Sequence, residues 1–240
     1  MISWLYVHVK RNRSTCGTLA AALVCRLLQM AVLGRPSHAA DSLFDSYLSM
    51  NAVDFATFLF IPLFCVGQMR SLKLYSSPQC ALALGSRSRV ALRICADCVL
   101  TGLLMSVLLQ VTSLIVLFWR FGTIPMWEAL RPVDLVLQGV VLANAGMVSF
   151  LAMLAFHSSA FSCLTGILYG MWDFMAMNVV GGGLPPIGWS LAIVPDGAGW
   201  AAIVVQAGVL VSLSLVLGVL LWLAAGKVDY LDCGRGLSKS

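Results

Sequence analysis

The chain has 240 residues, of which 60% are hydrophobic and 10% are charged, and its net charge is +5. A soluble domain carries about a quarter of its residues as Asp, Glu, Lys or Arg, so this chain has too few charged residues to cover a water-facing surface. Its apolar runs are continuous rather than alternating, which favours spanning helices over a β-barrel. We therefore predict an all-α integral membrane protein.

The predicted elements begin with a basic and aromatic segment at residues 1–13, which is typical of an amphipathic helix lying on the inner leaflet. Apolar segments long enough to cross a bilayer at about 20 residues each follow. The six predicted spans are 14–33, 51–69, 94–119, 133–155, 162–182 and 200–225. The fourth and fifth are separated only by residues 156–161, and we expect a tight turn there because one continuous helix would be too long for a single crossing.

The positive charges lie mostly on one side of this predicted bundle. Eleven Lys and Arg residues fall in the N-terminal segment, the loop 70–93 and the tail 226–240, three fall on the other side, and Arg26 lies within span one. Short loops rich in Lys and Arg stay in the cytoplasm. Both termini are therefore predicted to be cytoplasmic.

The connecting segment 183–199 is too apolar for an ordinary wet loop and too rich in Pro and Gly for a full span. We expect a broken, partly re-entrant extracellular segment that lies against the outer ends of the helices. The residues that define it are Pro185, Pro186, Trp189 and Pro195. The cytoplasmic loop 70–93 is long and basic, and its pattern fits equally a surface helix offered to a partner and a solvated anchor.

Ionisable side chains inside spans cost free energy, so each is a candidate functional residue. Arg26 lies past the middle of span one and Asp173 near the middle of span five. We expect these two residues to form a buried ion pair, which either fixes the register of the helices or contacts a substrate.

Spans two and five are rich in aromatic residues, which suits an amphiphilic substrate that needs contact area. Contact with lipid explains the same residues without a substrate. The residues predicted to line a substrate path are Asp54, Phe58, Tyr169, Trp172, Asp173 and Asn178.

The sequence lacks the motifs of nucleotide and hydrolytic chemistry. It contains no G-x-x-x-x-G-K-[ST] loop, no G-x-S-x-G elbow and no H-E-x-x-H pair. Cys95 and Cys98 have CxxC spacing, but no second cysteine pair or His cluster accompanies them. We expect no enzyme activity, metal or cofactor on this chain.

Several short motifs follow one another in a fixed order. They are VHVKRNRS (7–14), LGSRSRVALR (84–93), LPPIGWS (184–190), IVPDG (193–197) and GKVDYL (226–231). This layout resembles the permease subunits of ABC-2-type exporters, and within them the small permeases of lantibiotic-immunity transporters. Two departures are the absence of Asp and Glu from 1–13 and 70–93, and PDG where those permeases carry PNG.

The resemblance implies a type V exporter-like permease fold in a bacterial plasma membrane, with spans two and five lining a central cavity. Its partners would be two copies of a separate ABC ATPase, which carry the ATP and Mg, a second permease of the same or a homologous kind, and membrane lipid. A nucleic-acid partner is not expected. The loop 70–93 would be the coupling loop, and it would contact the ATPase through Leu82, Leu84, Gly85, Arg87 and Arg89. The substrate would be an amphiphile such as a peptide antibiotic, exported for production or self-immunity.

Two other classes of protein are compatible with the sequence. A substrate-capture subunit of an energy-coupling-factor vitamin importer also has about six spans and no ATPase of its own, and Ala20-Ala21-Ala22 would suit docking on its scaffold. A membrane enzyme is the third class, which the lack of a convergent catalytic cluster disfavours.

Overall fold

The structure, a computed structural model, describes residues 17–18, 20–28, 51–75, 77, 84–122, 132–178, 185–193 and 199–227. In these ranges the chain forms helices and their connections, without a β-strand, so the predicted all-α class is confirmed for them. The predicted amphipathic segment 1–13 lies outside the described residues, as do Leu82, Pro195 and the tail beyond Lys227.

The helices are numbered in chain order, and each overlaps a predicted span. They are α1 (20–28), α2 (Val53–Tyr75), α3 (Arg87–Phe121), α4 (Pro132–Phe156), α5 (Ser159–Asn178) and α6 (Trp200–Lys227). A 3-10 turn, Trp189–Ala192, lies between α5 and α6. By length and composition, four of the described helices can cross a membrane, namely α2, α3, α4 and α6.

The connection between α2 and α3 is shorter than the predicted loop 70–93. Helix α2 continues to Tyr75. Its polar and charged residues lower the hydropathy, but they are compatible with a helical backbone, so the helix does not end where the apolar stretch ends. Helix α3 begins at Arg87, where the Ser86 side chain accepts a hydrogen bond from the Arg89 backbone N–H at 3.3 Å. Much of the predicted loop is therefore helical.

The turn between α4 and α5 is tight. Helix α4 ends at Phe156, and α5 begins at Ser159. His157 has a φ of 53° and closes the helix through its N–H, which donates to the Met153 carbonyl at 2.9 Å. The left-handed conformation of this residue reverses the chain in two residues, so the two helices pack antiparallel.

Helix α4 is the centre of the bundle. It packs against α3, α5 and α6, and most of its apolar stretch is buried, whereas most of α6 is exposed. The antiparallel packing brings the starts of α2, α4 and α6 together with the ends of α3 and α5. We call this the Trp189 end of the bundle and the opposite end the Arg87 end.

Helices α2 and α5 approach closely. A Cβ added at Gly170 of α5 would lie 2.8 Å from side-chain carbons of Ile61 on α2. At this crossing, α2 contains a π-helical stretch, Ala56–Phe60, and the Thr57 hydroxyl donates to the Gly170 carbonyl at 3.3 Å. Extra residues in a helical turn often accompany functional sites.

Candidate functional site

The Asp173 carboxylate is fully buried near the end of α5 and binds the segment that connects α5 to α6. Its Oδ1 accepts hydrogen bonds from the backbone N–H groups of Ile187 at 3.0 Å and Gly188 at 2.9 Å. Its Oδ2 accepts from the N–H of Ser190 at 2.8 Å and from the Ser190 hydroxyl at 2.5 Å. Successive N–H groups of this kind form a concavity that binds anions. Four hydrogen-bond donors therefore compensate the charge of a carboxylate that is buried away from solvent.

Two neighbours on α5 hold the same segment by its carbonyl groups. The Tyr169 hydroxyl donates to the Ile187 carbonyl at 2.9 Å, and the Trp172 indole N–H donates to the Pro185 carbonyl at 3.1 Å. We call Tyr169, Trp172, Asp173 and residues 185–190 the Asp173 cradle. Side chains from about one turn of α5 thus hold both the donors and the acceptors of the connecting backbone.

Glycine at position 188 makes this approach possible. A Cβ on Gly188 would lie 3.3 Å from the carboxyl carbon and from both carboxylate oxygens of Asp173. That spacing is tighter than ordinary van der Waals contact. Any larger residue would have to push the carboxylate away from its donors.

Trp189 attaches the cradle to α2. Its side chain is fully buried, and its indole N–H donates to the backbone carbonyl of Asn51 at 2.9 Å. The Asn51 side chain in turn accepts from the Arg26 guanidinium at 2.9 Å. Arg26 also donates to the hydroxyl of Ser113 and lies 5.1 Å above the Phe60 ring. The Trp189 end is thus a continuous polar network inside an apolar bundle.

The predicted contact between Arg26 and Asp173 is not formed. The four donors to Asp173 all come from residues 187–190, and Arg26 lies on the other side of Trp189 among α1, α2 and α3. Both charges are buried as expected, but the connecting segment separates them. They are linked through Asn51 and Trp189.

Other predicted path residues lie on the outer face of α2 and α5. Asp54 is exposed, and Phe58 is 56% exposed with its ring 4.9 Å from that of Phe174 in an edge-to-face arrangement. Trp172 is 39% exposed on the same helix pair. The side chain of Asn178 lies outside the described residues. The structure therefore divides the predicted path residues between the buried cradle and an exposed aromatic face.

The predicted coupling residues lie at the Arg87 end. Gly85, Arg87 and Arg89 are exposed, whereas Leu84 is partly buried against the core. Arg87 donates to the carbonyl of Gly226 at 2.7 Å, in the last turn of α6, where a cation is favoured by the helix dipole. Arg87 therefore links α3 to α6 within the chain.

Sequence reasoning missed the partners of the buried charges. Ser190 and Gly188 carry a weak signal, since a small residue and a hydroxyl follow two prolines after a span with a buried Asp. The roles of Asn51 and Ser113 carry no comparable signal, because an Asn before a span and a single Ser within an apolar span are both ordinary. Among the described residues, no group of three or more His, Cys, Asp or Glu side chains is arranged to hold a metal ion.

No protein family, no curated protein and no solved structure matches the chain.

Proposed function

We propose that this chain is the permease subunit of an ATP-binding-cassette exporter, with six spans, cytoplasmic termini and a path for an amphiphilic substrate. A separate ATPase in two copies supplies the energy, and a second permease completes the path. The proposed substrate is a peptide antibiotic or a similar amphiphile, and the proposed location is a bacterial plasma membrane.

The observation that carries this proposal is the Asp173 cradle. Side chains of α5 that the resemblance assigns to the substrate path hold a folded segment against the Trp189 end of the bundle. The segment is held both by these hydrogen bonds and by the burial of Trp189 and Ala192 in the core. A helix movement that breaks the hydrogen bonds and withdraws Trp189 would release it. The cradle has the properties of an outer gate in its closed state.

The exposed face of α2 and α5 supports the proposed pairing of two permeases. Phe58, Phe174 and Trp172 form an aromatic surface on the helices that would face the cavity. Aromatic rings bind amphiphiles through area and tolerate varied ligands. A second copy facing this surface would enclose it.

Affinity copurification of the tagged chain in mild detergent tests the proposal. We expect a soluble ATPase with a phosphate-binding loop to copurify, identified by mass spectrometry. Changing Ser88 and Arg89 to Glu should abolish this association, since both are exposed at the start of α3. Lys227→Glu is the matched control at the end of α6 and should keep the ATPase. Arg87 is unsuitable for this test because its loss also removes the contact with Gly226.

A folded chain that copurifies no ATPase while its genomic neighbours are expressed would count against the exporter. Tight binding of a vitamin by the isolated chain would then favour the importer subunit. Loss of the ATPase in the Lys227→Glu control as well would mean that the Arg87 end is merely destabilised, and would remove the evidence for a coupling surface at Ser88 and Arg89.

A further inference from the structure

We infer that the Asp173 cradle is opened by a hydrogen-bond-donating cation, a primary ammonium or guanidinium group, carried by an amphiphile. The cation takes the place of residues 187–190 on the carboxylate. This inference rests on the proposed function, because it names the chemical class of ligand that acts at the proposed outer gate.

Removing the donors from the cradle costs free energy. Asp173 is fully buried and accepts four hydrogen bonds, three from backbone N–H groups and one from the Ser190 hydroxyl. A buried charge that loses its partners is strongly unfavourable. The carboxylate can exchange these partners at low cost if another group supplies donors at the same oxygens, and a positive charge on that group adds a direct attraction.

Few chemical groups supply both the donors and the positive charge. An ammonium offers three donors and a guanidinium offers five in a planar fork, and both form strong hydrogen bonds to carboxylates. A hydroxyl offers one donor and no charge. A quaternary ammonium offers charge without a donor. The cradle therefore discriminates by donor number as well as by charge.

The apolar part of such a ligand has a surface next to the cradle. Trp172 and Phe174 flank Asp173 on α5, and Phe58 of α2 extends the aromatic surface toward the outside of the bundle. Trp172 belongs to the cradle through its bond to the Pro185 carbonyl, so its ring is already oriented. Aromatic faces also attract cations directly. An amphiphile arriving from the lipid would place its chain on this surface and its cation toward Asp173.

The test measures release of the segment by thiol labelling. Ala192 is fully buried at the end of the 3-10 turn, so an Ala192→Cys thiol should react slowly with a membrane-impermeant maleimide. The chain is placed in phosphatidylcholine nanodiscs, and octylammonium or octyltrimethylammonium is added at equal concentration. We expect octylammonium to raise the labelling rate about tenfold, which is the effect of roughly one charge-assisted hydrogen bond. Octyltrimethylammonium should leave the rate unchanged.

Variants connect the response to the carboxylate. Asp173→Asn should label fast without any amine and lose the amine response. Asp229→Asn removes a carboxylate in the predicted cytoplasmic tail. Its response to octylammonium should equal that of the Ala192→Cys protein with no second substitution. If Asp173→Asn does not fold, Ser190→Ala serves instead. It removes one donor to the carboxylate, so a lower octylammonium concentration should give the same increase in labelling rate. Ile193→Cys, which is half-buried, is a second labelling position.

Equal acceleration by both amines would overturn the inference, and so would no acceleration by octylammonium at either labelling position. Fast labelling in phosphatidylethanolamine nanodiscs without added amine would support the same chemistry and identify a lipid headgroup as its source. No ATPase is present in this assay. Its failure is therefore distinguishable from a failure of the exporter proposal, which the copurification tests separately.

Discussion

Two buried charges, Arg26 and Asp173, lie at the same end of the bundle without touching each other. Asp173 is compensated by neutral donors, which avoids the geometric demands of a buried ion pair. Asp173 uses the backbone of the connecting segment, and Arg26 uses Asn51 and Ser113. Since Trp189 binds the carbonyl of Asn51, both charges hold the same segment in position.

Replacing Asp173 by Asn should lower the free energy of unfolding by about 2 to 3 kcal/mol, the range for hydrogen bonds to a charged group. The amide keeps the size of the side chain but presents an NH2 group toward backbone donors. Denaturant titration of the purified protein in detergent measures the change. Asp229→Asn should change stability by no more than about 0.5 kcal/mol, and an equal loss in both variants would contradict the role of the cradle.

Gly188→Ala should destabilise the protein by about 1 kcal/mol, because the added methyl group meets the Asp173 carboxylate at 3.3 Å. The matched control is Gly199→Ala, where an added Cβ has no heavy atom within 4 Å. Thermal unfolding of the two variants in the same detergent compares them. If Gly188→Ala unfolds at the same temperature as the unchanged protein, the Asp173 carboxylate is held less closely to Gly188 than these distances indicate.

The charged residues themselves were predictable, but their partners were not. An Arg or Asp within an apolar run is visible in the sequence, and its cost in the membrane marks it as important. The choice of partner depends on how residues 185–190 fold back, and the two prolines and Gly188 do not by themselves specify that path. The prediction paired Arg26 with Asp173 because the two residues lie at a similar depth. In the structure, Asp173 instead accepts hydrogen bonds from backbone N–H groups, which no sequence pattern marks.

At the scale of elements, hydropathy predicts where the described helices lie, and four of them are long and apolar enough to cross a bilayer. It locates their ends poorly at the Arg87 end. Helices α2 and α3 extend beyond the apolar stretch into polar sequence, since Ser86 caps α3 and the backbone of α2 continues through Lys73. A hydropathy drop marks the membrane surface, whereas a cap marks the end of a helix.

The crossing of α2 and α5 depends on the absence of a side chain at Gly170. Gly170→Ala should lower stability by about 1 to 3 kcal/mol, because its Cβ would lie 2.8 Å from Ile61. Combining it with Ile61→Ala should restore part of the loss, seen as a favourable coupling in a double-mutant cycle. Gly208→Ala in α6 is the control. It has no neighbour within 4 Å, so the better helix propensity of Ala should raise stability by up to about 1 kcal/mol.

At the scale of the whole molecule, the two ends of the bundle differ in character. The Trp189 end is closed by a folded segment with buried polar contacts. The Arg87 end presents exposed basic residues at the start of α3, next to the last turn of α6. Helix α5 runs from the turn at the Arg87 end to the cradle at the Trp189 end and packs along α4. In the exporter that we propose, a movement of α5 would therefore act on both ends.

The orientation of the bundle gives the last prediction. Eleven Lys and Arg residues on the side of the Arg87 end against three on the other side predict that the Arg87 end is cytoplasmic. An impermeant maleimide added to intact cells should therefore label Pro186→Cys and leave Ser88→Cys unlabelled, since both positions are exposed in the fold. After the cells are permeabilised, both should react, and the unmodified chain measures the background of the native cysteines. The reverse pattern would place the cradle in the cytoplasm and would rule out its action as an outer gate.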